Sequence, residues 1–256
     1  MEAQMTREMI VLPSVCDREM KLSIPDLFAQ FMDVATLHAE RLGVGADAMF
    51  GRGLFWLTVK TKIHVLRRPR MLETVTISTR PLVPERVRAI REYRMEAGGE
   101  LLAEGKTEWA VIETATGKLC PMTGIFPAEL ELAAQAQYPA PFARIKPDFS
   151  EAETVGTYRV RATDIDLGGH MNNVAYLRAV LGTLSGTALS DFPQGEIEIS
   201  FRTPCFEGDV LTVRRRETET GCELAALLPD GKPAVLIKAE RDRESAMAIG
   251  IVGALH

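Results

Sequence analysis

The chain of 256 residues is 46% hydrophobic and 25% charged, which is typical of a globular protein with one large domain or two small ones. Its formal net charge of -5 argues against a general nucleic-acid binder, and four cysteines without C-x-x-C spacing do not suggest a disulfide framework. The first residues, MEAQMTREMIVL, do not resemble a signal peptide, and no uncharged apolar stretch of about 18 residues occurs, so we expect a cytoplasmic protein without a membrane span.

The first half of the chain is predicted to contain one strand, one long helix and four further strands. The edge-like strand REMIVLPSV comes first. A helix is predicted over 23–43, because apolar residues recur with a period of about 3.6, Ser23 and Asp26 form an N-cap pair, and Gly43 is a stop signal. The strand-like segments that follow, several with alternating apolar and polar residues, are 54–69, 73–82, 86–96 and 100–114.

The second half repeats this order after a proline-rich segment. Residues 121–149 contain five prolines and are predicted to form a linker with one or two helical turns. The strand TVGTYRVRA then precedes a helix that begins at Asn172 or Asn173 and ends near Gly186. The remaining strand-like segments are 196–204, 209–217, 222–229 and 234–242.

This repeat predicts the fold class. Pro69 and Pro204 each lie at the end of a predicted strand, where a missing N–H does least harm. We predict an α+β protein of two tandem hotdog domains, each a curved antiparallel sheet wrapped around a long helix. The domains are expected over 1–120 and 151–256, with a linker at 121–150. A chance similarity between two α+β halves is the alternative.

The segment DIDLGGHMNNVAYLRA, residues 164–179, collects polar residues and glycines just before the second helix. An aspartate in a turn ahead of a helix can supply a nucleophile or a base. The N–H groups at the start of a helix carry partial positive charge, which suits a developing oxyanion. The candidate site residues are Asp166, Gly168, Gly169, His170, Asn172, Asn173 and Tyr176.

The chain resembles the acyl-ACP thioesterases along nearly its whole length. In the first half the similar segments are DREMKLSIPDLFAQFMDVATLHAERLGVG, GLFWLTVKTKIHVLRRP and WAVIETATGKLCP. In the second half, DIDLGGHMNN followed by Tyr176 is similar to the signature of that family. The resemblance implies a tandem hotdog fold and hydrolysis of the thioester between a fatty acyl chain and acyl carrier protein (ACP).

Carried over residue by residue, the resemblance places the catalytic aspartate of the family on Asp166 and its catalytic histidine on His170. The asparagine of the family falls on Gly168 and its glutamate on Pro204, so two of the four catalytic residue types are absent. The segments FRTPCFEGDVL and DLGG resemble instead the 4-hydroxybenzoyl-CoA class of thioesterases, in which one aspartate carries the hydrolysis. The two resemblances together imply an acyl-ACP thioesterase architecture with a site centred on Asp166.

We therefore expect Asp166 to act as nucleophile or general base, with His170 as the second catalytic residue. Backbone N–H groups between Gly169 and Asn173 are expected to donate to the oxyanion. The residues expected to bind substrate are Gly168, Gly169, Asn172, Asn173 and Tyr176.

Each residue also has a structural interpretation. The alternatives are a turn or helix cap for Asp166, a hydrogen bond across the domain for His170, helix caps for Asn172 and Asn173, and packing for Tyr176. A thiol nucleophile at Cys205, paired with His170, is weighed against a small buried residue at that position.

The first half offers an internal comparison. Asp17 precedes the first helix as Asp166 precedes the second, but Met20 and Lys21 stand where Gly169 and His170 would be. We interpret this half as a degenerate copy that helps to shape the acyl pocket. His38 and His64 lack metal-ligand spacing, so neither a metal nor another cofactor is expected.

The functional prediction is hydrolysis of fatty acyl-ACP to free fatty acid and ACP. An acyl-CoA thioesterase and a non-catalytic acyl-thioester binder are the alternatives, and acyl chain length is left open. ACP is strongly acidic, so the basic segments 66–70, 85–94 and 213–217 are candidates for docking it, against exposed strand faces of mixed charge. The apolar segment 245–255 is expected to cover a sheet edge or a partner chain in a homodimer.

Overall fold

The computed structural model describes residues 2–242, which form two compact units that divide between Pro141 and Phe142. Each unit has one strand, one main helix and four further strands. The predicted α+β class and its internal repeat are therefore confirmed. The predicted cover formed by residues 245–255 lies outside the described residues.

In the first unit, five antiparallel strands form a sheet in the order β1-β3-β4-β5-β2. They are β1 (Met5–Ile10), β2 (Leu54–Val65), β3 (Thr74–Pro81), β4 (Ala89–Ala97) and β5 (Glu100–Glu113). Helix α1 (Ile24–Arg41) packs mainly against β3, and the short helix α2 (Ala46–Gly51) follows it.

The bounds of helix α1 are set by an N-cap at its start and a glycine after its end, and a continuous apolar face lies between them. The Ser23 hydroxyl accepts a hydrogen bond from the Asp26 N–H, as an N-cap does, and Gly43 adopts a φ of +71° just beyond the end. Its buried face consists of Ile24, Leu27, Phe28, Phe31, Val34, Ala35 and His38. This face repeats at helical spacing and covers one side of the sheet.

The second unit has the same architecture, with the sheet order β7-β10-β9-β8-β6. Its strands are β6 (Glu153–Arg159), β7 (Glu196–Phe201), β8 (Val210–Glu217), β9 (Gly221–Leu227) and β10 (Pro233–Glu240). Helix α3 (Asn173–Gly182) contacts β9, and a short helix α4 (Gly186–Ser190) follows.

Two helical predictions need correction. Helix α3 ends at Gly182, before the predicted end near Gly186, because a new helix starts where Ser185 caps the N–H of Ala188. Helices α2 and α4 were not predicted, because 6 and 5 residues are too few to show a helical period.

The predicted alignment of the two prolines is off by one residue. Strands β2 and β7 end at Val65 and Phe201, so both prolines lie in the loops that follow. The Leu22 N–H donates to the Pro69 carbonyl, and the Met171 N–H donates to the Cys205 carbonyl. Pro69 therefore corresponds in position to Cys205 and not to Pro204.

The segment 121–150 contains no helix, contrary to the predicted helical turns. Several of its side chains are buried in hydrophobic clusters, among them Met122, Ile125 and Phe149. Residues up to Pro141 pack on the first unit, where the Lys62 ammonium donates to the Pro141 carbonyl. Residues from Phe142 pack on the second unit, where the Ala143 N–H donates to the buried Glu198 carboxylate. The boundaries predicted at residues 120 and 150 stay a prediction.

Candidate active site

The candidate site lies in a hydrogen-bonded turn between β6 and α3. An isolated antiparallel bridge joins Ile165 to Met171, and the Asp166 N–H donates to the His170 carbonyl at 3.0 Å. The Gly169 N–H donates back to the Asp166 carbonyl at 3.0 Å. Gly169 has a φ of +77°, as the turn requires, and no atom lies within 4 Å of the position of its missing Cβ.

This turn brings Asp166 and His170 together. Their Oδ1 and Nδ1 atoms are 3.8 Å apart, and the two side chains are 25% and 27% exposed. The Asp166 Oδ1 atom also accepts a hydrogen bond of 2.8 Å from the Gly168 N–H, which orients the carboxylate. The pair is thus half-buried and reachable by a substrate, at a separation that a small movement would turn into a hydrogen bond.

Asn172 is the N-cap of α3. Its side-chain oxygen accepts from the Val174 N–H at 2.8 Å, and its own N–H donates to the Asp164 carbonyl at 2.8 Å. Asn173 is the first residue of the helix. Asn172 therefore fastens both the helix start and the beginning of the turn, which is the structural role foreseen as its alternative.

The expected oxyanion donors are fewer than the sequence suggests. The N–H groups of Gly169, Met171 and Asn172 all donate to backbone carbonyls within the turn and its neighbouring loop. These hydrogen bonds hold the backbone of the turn in shape. The expectation that these three N–H groups donate to the oxyanion is therefore corrected, because each already donates to a backbone carbonyl.

Tyr176 holds the loop after β7 against α3. Its hydroxyl donates to the Thr203 carbonyl at 3.3 Å and accepts from the Cys205 N–H at 2.9 Å, and its ring contacts Phe201 edge-on at 5.9 Å. Burial raises the pKa of the Tyr176 hydroxyl. The residue is only 4% exposed, so Tyr176 holds the loop after β7 and helix α3 together.

Cys205 is fully buried at 0% exposure. Burial raises the pKa of its thiol, which keeps it protonated, whereas a nucleophilic cysteine needs to be a thiolate. The structure supports the small buried residue over the Cys205–His170 pair.

The first unit contains the same turn, bond for bond. The Asp17 N–H donates to the Lys21 carbonyl at 2.9 Å, and the Met20 N–H donates to the Asp17 carbonyl at 3.0 Å. The Glu19 N–H donates to the Asp17 Oδ1 atom at 2.9 Å. Asp17, Met20 and Lys21 therefore occupy the positions of Asp166, Gly169 and His170, as the internal comparison predicts.

The first turn differs chemically from the second, because the Arg68 guanidinium forms ion pairs with its carboxylates. The Arg68 guanidinium, 4% exposed, donates to Asp17 and to Glu19. Burial alone would raise the pKa of Asp17, but the hydrogen bonds from Arg68 and from the Glu19 N–H outweigh it and hold that pKa below its usual range. An aspartate tied to a guanidinium is a poor nucleophile or base. Arg68 was not predicted as part of this turn. The sequence-based alignment paired Pro69 with Pro204, whereas the hydrogen bonds show that Arg68 is the residue that corresponds to Pro204.

Residues 2–242 contain neither a candidate metal-binding cluster nor a candidate membrane-spanning helix. In this part of the chain, no group of three or more His, Cys, Asp or Glu side chains could hold a metal ion. Within the same residues, no helix combines the length and apolar character needed to cross a membrane.

Comparison with family models matches both units. The acyl-ACP thioesterase N-terminal domain matches residues 2–130, and the acyl-ACP thioesterase C-terminal domain matches residues 148–241. Among curated proteins, the chain is 23% identical over 197 residues to oleoyl-acyl carrier protein thioesterase 2 of Arabidopsis thaliana, and 24% identical over 207 residues to the corresponding thioesterase of Coriandrum sativum. Both are chloroplastic proteins, and each alignment covers 70% of this chain and 53% of the relative. The chain thus spans about half the length of the curated relatives it matches.

Two solved structures share the fold over nearly the whole chain. An acyl-ACP thioesterase from Bacteroides thetaiotaomicron superposes with a TM-score of 0.84 at 18% identity, covering 93% of this chain and 97% of the other. The 12:0-ACP thioesterase from Umbellularia californica superposes with a TM-score of 0.79 at 16% identity, covering 94% and 97%. The predicted tandem hotdog fold is confirmed by these similarities.

Proposed function

The chain belongs to the acyl-ACP thioesterase family, and we propose that it hydrolyses fatty acyl-ACP to free fatty acid and ACP. The observation that carries this proposal is the match of both family domains together with an accessible acidic turn in the second one. The corresponding turn of the first unit is neutralised by Arg68. One active centre per chain, at Asp166, follows from this contrast.

Asp166 supplies the attack on the thioester. As a nucleophile, its carboxylate adds to the carbonyl carbon, the thiolate leaves, and water then hydrolyses the acyl anhydride. As a general base, it takes a proton from the water that adds to the same carbon. In either route His170 lies beside the carboxylate, 3.8 Å away, where its imidazole can give a proton to the departing sulfur.

The positive end of α3 faces the charge that develops on the carbonyl oxygen. Asn173 opens this helix, and Asn172 holds its first turn in place through the Val174 N–H. The partial charge of a helix N-terminus favours an anion there. We assign substrate contact to Asn173 and the glycines of the turn, and positioning to Asn172 and Tyr176.

A second candidate is an acyl-CoA thioesterase. Gly168 and Pro204 stand where the family resemblance places an amide and a carboxylate, so the chemistry is left to an aspartate, as in the 4-hydroxybenzoyl-CoA class. The same losses would fit a protein that binds acyl thioesters without cleaving them. The cytoplasmic location and the homodimer stay predictions.

The test is release of free thiol from acyl-ACP and acyl-CoA of matched chain lengths, measured with the purified chain. The proposal predicts turnover of acyl-ACP with a kcat/KM at least about tenfold above that of acyl-CoA, a difference of about 1.4 kcal/mol in transition-state binding. The reverse preference would establish the acyl-CoA enzyme. Binding of both thioesters without thiol release would contradict hydrolysis and establish the binding protein.

A further inference from the structure

The loop that follows β7 runs beside the Asp166 turn. Within the turn, the hydrogen bond from the Asp166 N–H to the His170 carbonyl places these two residues opposite each other. On the other side, the Met171 N–H donates to the Cys205 carbonyl at 2.8 Å. Because the next residues along two antiparallel segments are again neighbours, this bond brings Phe206 next to His170.

The first unit forms an antiparallel bridge at the equivalent place. The Leu22 N–H donates to the Pro69 carbonyl at 2.9 Å, and the bridge joins Lys21 to Arg70. The same backbone bond in the second unit precedes Phe206, so Arg70 is the residue that corresponds to Phe206.

Alternate residues of this loop face the turn. Arg68 lies two residues before Arg70, and its guanidinium donates to the Asp17 carboxylate. Successive residues of an extended segment point to opposite sides, so residues two apart share a side. Arg68 and Arg70 therefore face the turn of the first unit, and Pro204 and Phe206 face the turn of the second.

Three positions around the turn differ in the same way between the two units. They are apolar in the second unit, and all three are arginine in the first. The apolar residues, which we call the apolar rim, are Leu167, Pro204 and Phe206. Their counterparts in the first unit are Arg18, Arg68 and Arg70. The Asp166 turn thus has an apolar border where the equivalent turn has a cationic one.

The apolar rim is exposed, although large apolar side chains gain free energy from burial. Leu167 is 69% exposed and Phe206 is 54% exposed, and Pro204 is exposed as well. Exposed apolar residues that are grouped beside a pair of reactive side chains are typical of a surface that a ligand covers. The rim therefore predicts an apolar part of the substrate at this point.

We propose that the apolar rim, with Phe206 as its main contact, binds the methylene groups of the pantetheine arm next to the thioester. This inference rests on the proposed hydrolysis of acyl thioesters at Asp166. ACP and coenzyme A both carry the acyl group on this arm, whose methylene groups alternate with amides and suit an aromatic face. The carrier stays in solvent, so the arm crosses exposed surface beside the catalytic pair, whereas the acyl chain gains most where it is buried.

The first experiment compares two dodecanoyl thioesters, one of pantetheine and one of ethanethiol, which share the acyl chain and differ in the arm. Phe206→Ala should lower kcat/KM for the pantetheine thioester by about tenfold, mainly through a higher KM, because a binding contact is lost. The ethanethiol thioester has no arm to contact the ring and should change by less than about threefold. Phe206→Leu keeps an apolar side chain and should retain most of the wild-type value.

The control Leu189→Ala removes another exposed apolar side chain of the second unit, on α4. It should hydrolyse both thioesters as the wild type does. An unchanged kcat/KM in Phe206→Ala would overturn the inference and leave hydrolysis intact. An equal loss for both small thioesters would do the same, because Phe206 would then act on the acyl chain or the catalytic pair. A loss for dodecanoyl-ACP that the pantetheine thioester does not share would also overturn it, with the carrier protein on the rim.

The second experiment measures binding without hydrolysis, by calorimetry with S-dodecylpantetheine, a thioether that has the arm but no scissile bond. The wild type should bind it about tenfold more tightly than Phe206→Ala does, and Phe206→Leu should bind it nearly as the wild type does. This difference in binding without turnover of any thioester would keep the inference and sink the proposed hydrolysis. Equal binding by the wild type and Phe206→Ala would overturn the inference.

Discussion

At the scale of single residues, the two units differ in backbone strain in the loops around their equivalent aspartates, Asp17 and Asp166. Within residues 2–242 the non-glycine residues with positive φ are Met20, at 56°, and Leu72, at 68°. The hydrogen bonds of the duplicated loops place Met20 where the second unit has Gly169, and Leu72 where it has Gly208. The first unit therefore has the same loop backbone as the second, but without the glycines that suit a positive φ.

The strain at Met20 predicts that Met20→Gly stabilises the protein. Relief of a left-handed conformation, about 1–2 kcal/mol, exceeds the extra unfolded-state entropy of glycine, about 0.5–1 kcal/mol. The Met20 side chain is 61% exposed, so little packing is lost. We expect the free energy of unfolding to rise by about 0.5–1 kcal/mol in denaturant titrations. The control Leu12→Gly, at an ordinary φ of -89°, should lower it by a similar amount. Destabilisation by both variants would contradict the strain assignment.

Local sequence identified the residues of the turn but not their tertiary partners. Asp166, Gly169 and His170 could be located because spacing within one short segment decides their positions. The contacts of Arg68 and Tyr176 could not, because their partners lie 51 and 27 to 29 residues away along the chain.

At the scale of elements, the two main helices begin with equivalent caps. Ser23 accepts from the Asp26 N–H at 3.1 Å, and Asn172 accepts from the Val174 N–H at 2.8 Å. These starts were predictable because capping signals are local in sequence. The end of α3 was not, since Ser185 begins a new helix only three residues after Gly182.

The equivalent caps predict equal effects on stability and different effects on catalysis. Ser23→Ala and Asn172→Ala should each lower the free energy of unfolding by about 1 kcal/mol, the usual loss for an N-cap. Asn172→Ala should also lower kcat/KM for acyl-ACP by about tenfold, because Asn172 fixes the helix start beside Asp166. Thermal unfolding and thiol release together test this. Equal kinetics for the two variants would show that Asn172 is a cap and nothing more.

At the scale of the whole molecule, most arginines of the basic segments proposed for docking form ion pairs with carboxylates of the same unit. Arginines in all three segments pair with carboxylates of their own unit, namely Arg67 with Glu73 and Glu100, Arg68 with Asp17, Arg88 with Glu108, Arg94 with Glu96, Arg215 with Glu217, and Arg216 with Glu223. Composition alone could not show this neutralisation, because it depends on which strands become neighbours. Arg161, in the loop before the Asp166 turn, and Arg202, in the loop after β7, are both exposed. That second loop is joined to the turn by the hydrogen bond from the Met171 N–H to the Cys205 carbonyl, so we expect these two arginines to be the ones that meet an acidic carrier.

Charge reversal at these two positions tests that placement. Arg161→Glu with Arg202→Glu should lower kcat/KM for acyl-ACP by about tenfold, because a basic surface steers an acidic partner. Hydrolysis of acyl-CoA should change less than about threefold, and added salt should reduce the difference between wild type and variant. Arg86→Glu, an exposed arginine of a basic segment in the first unit, is the control and should behave as wild type. A larger effect of Arg86→Glu would move the docking surface to the first unit.

The central claim is that two equivalent aspartates have separated in role, with hydrolysis retained at Asp166. The most direct measurement is the kcat/KM for acyl-ACP of Asp166→Asn beside that of Asp17→Asn, with folding of both verified. We predict a loss of about a thousandfold or more for Asp166→Asn, as expected when the attacking group or base is removed. Asp17→Asn should lose stability through its contact with Arg68 but keep kcat/KM within about threefold of the wild type. Retained activity in Asp166→Asn, or an equal loss in both variants, would contradict the account.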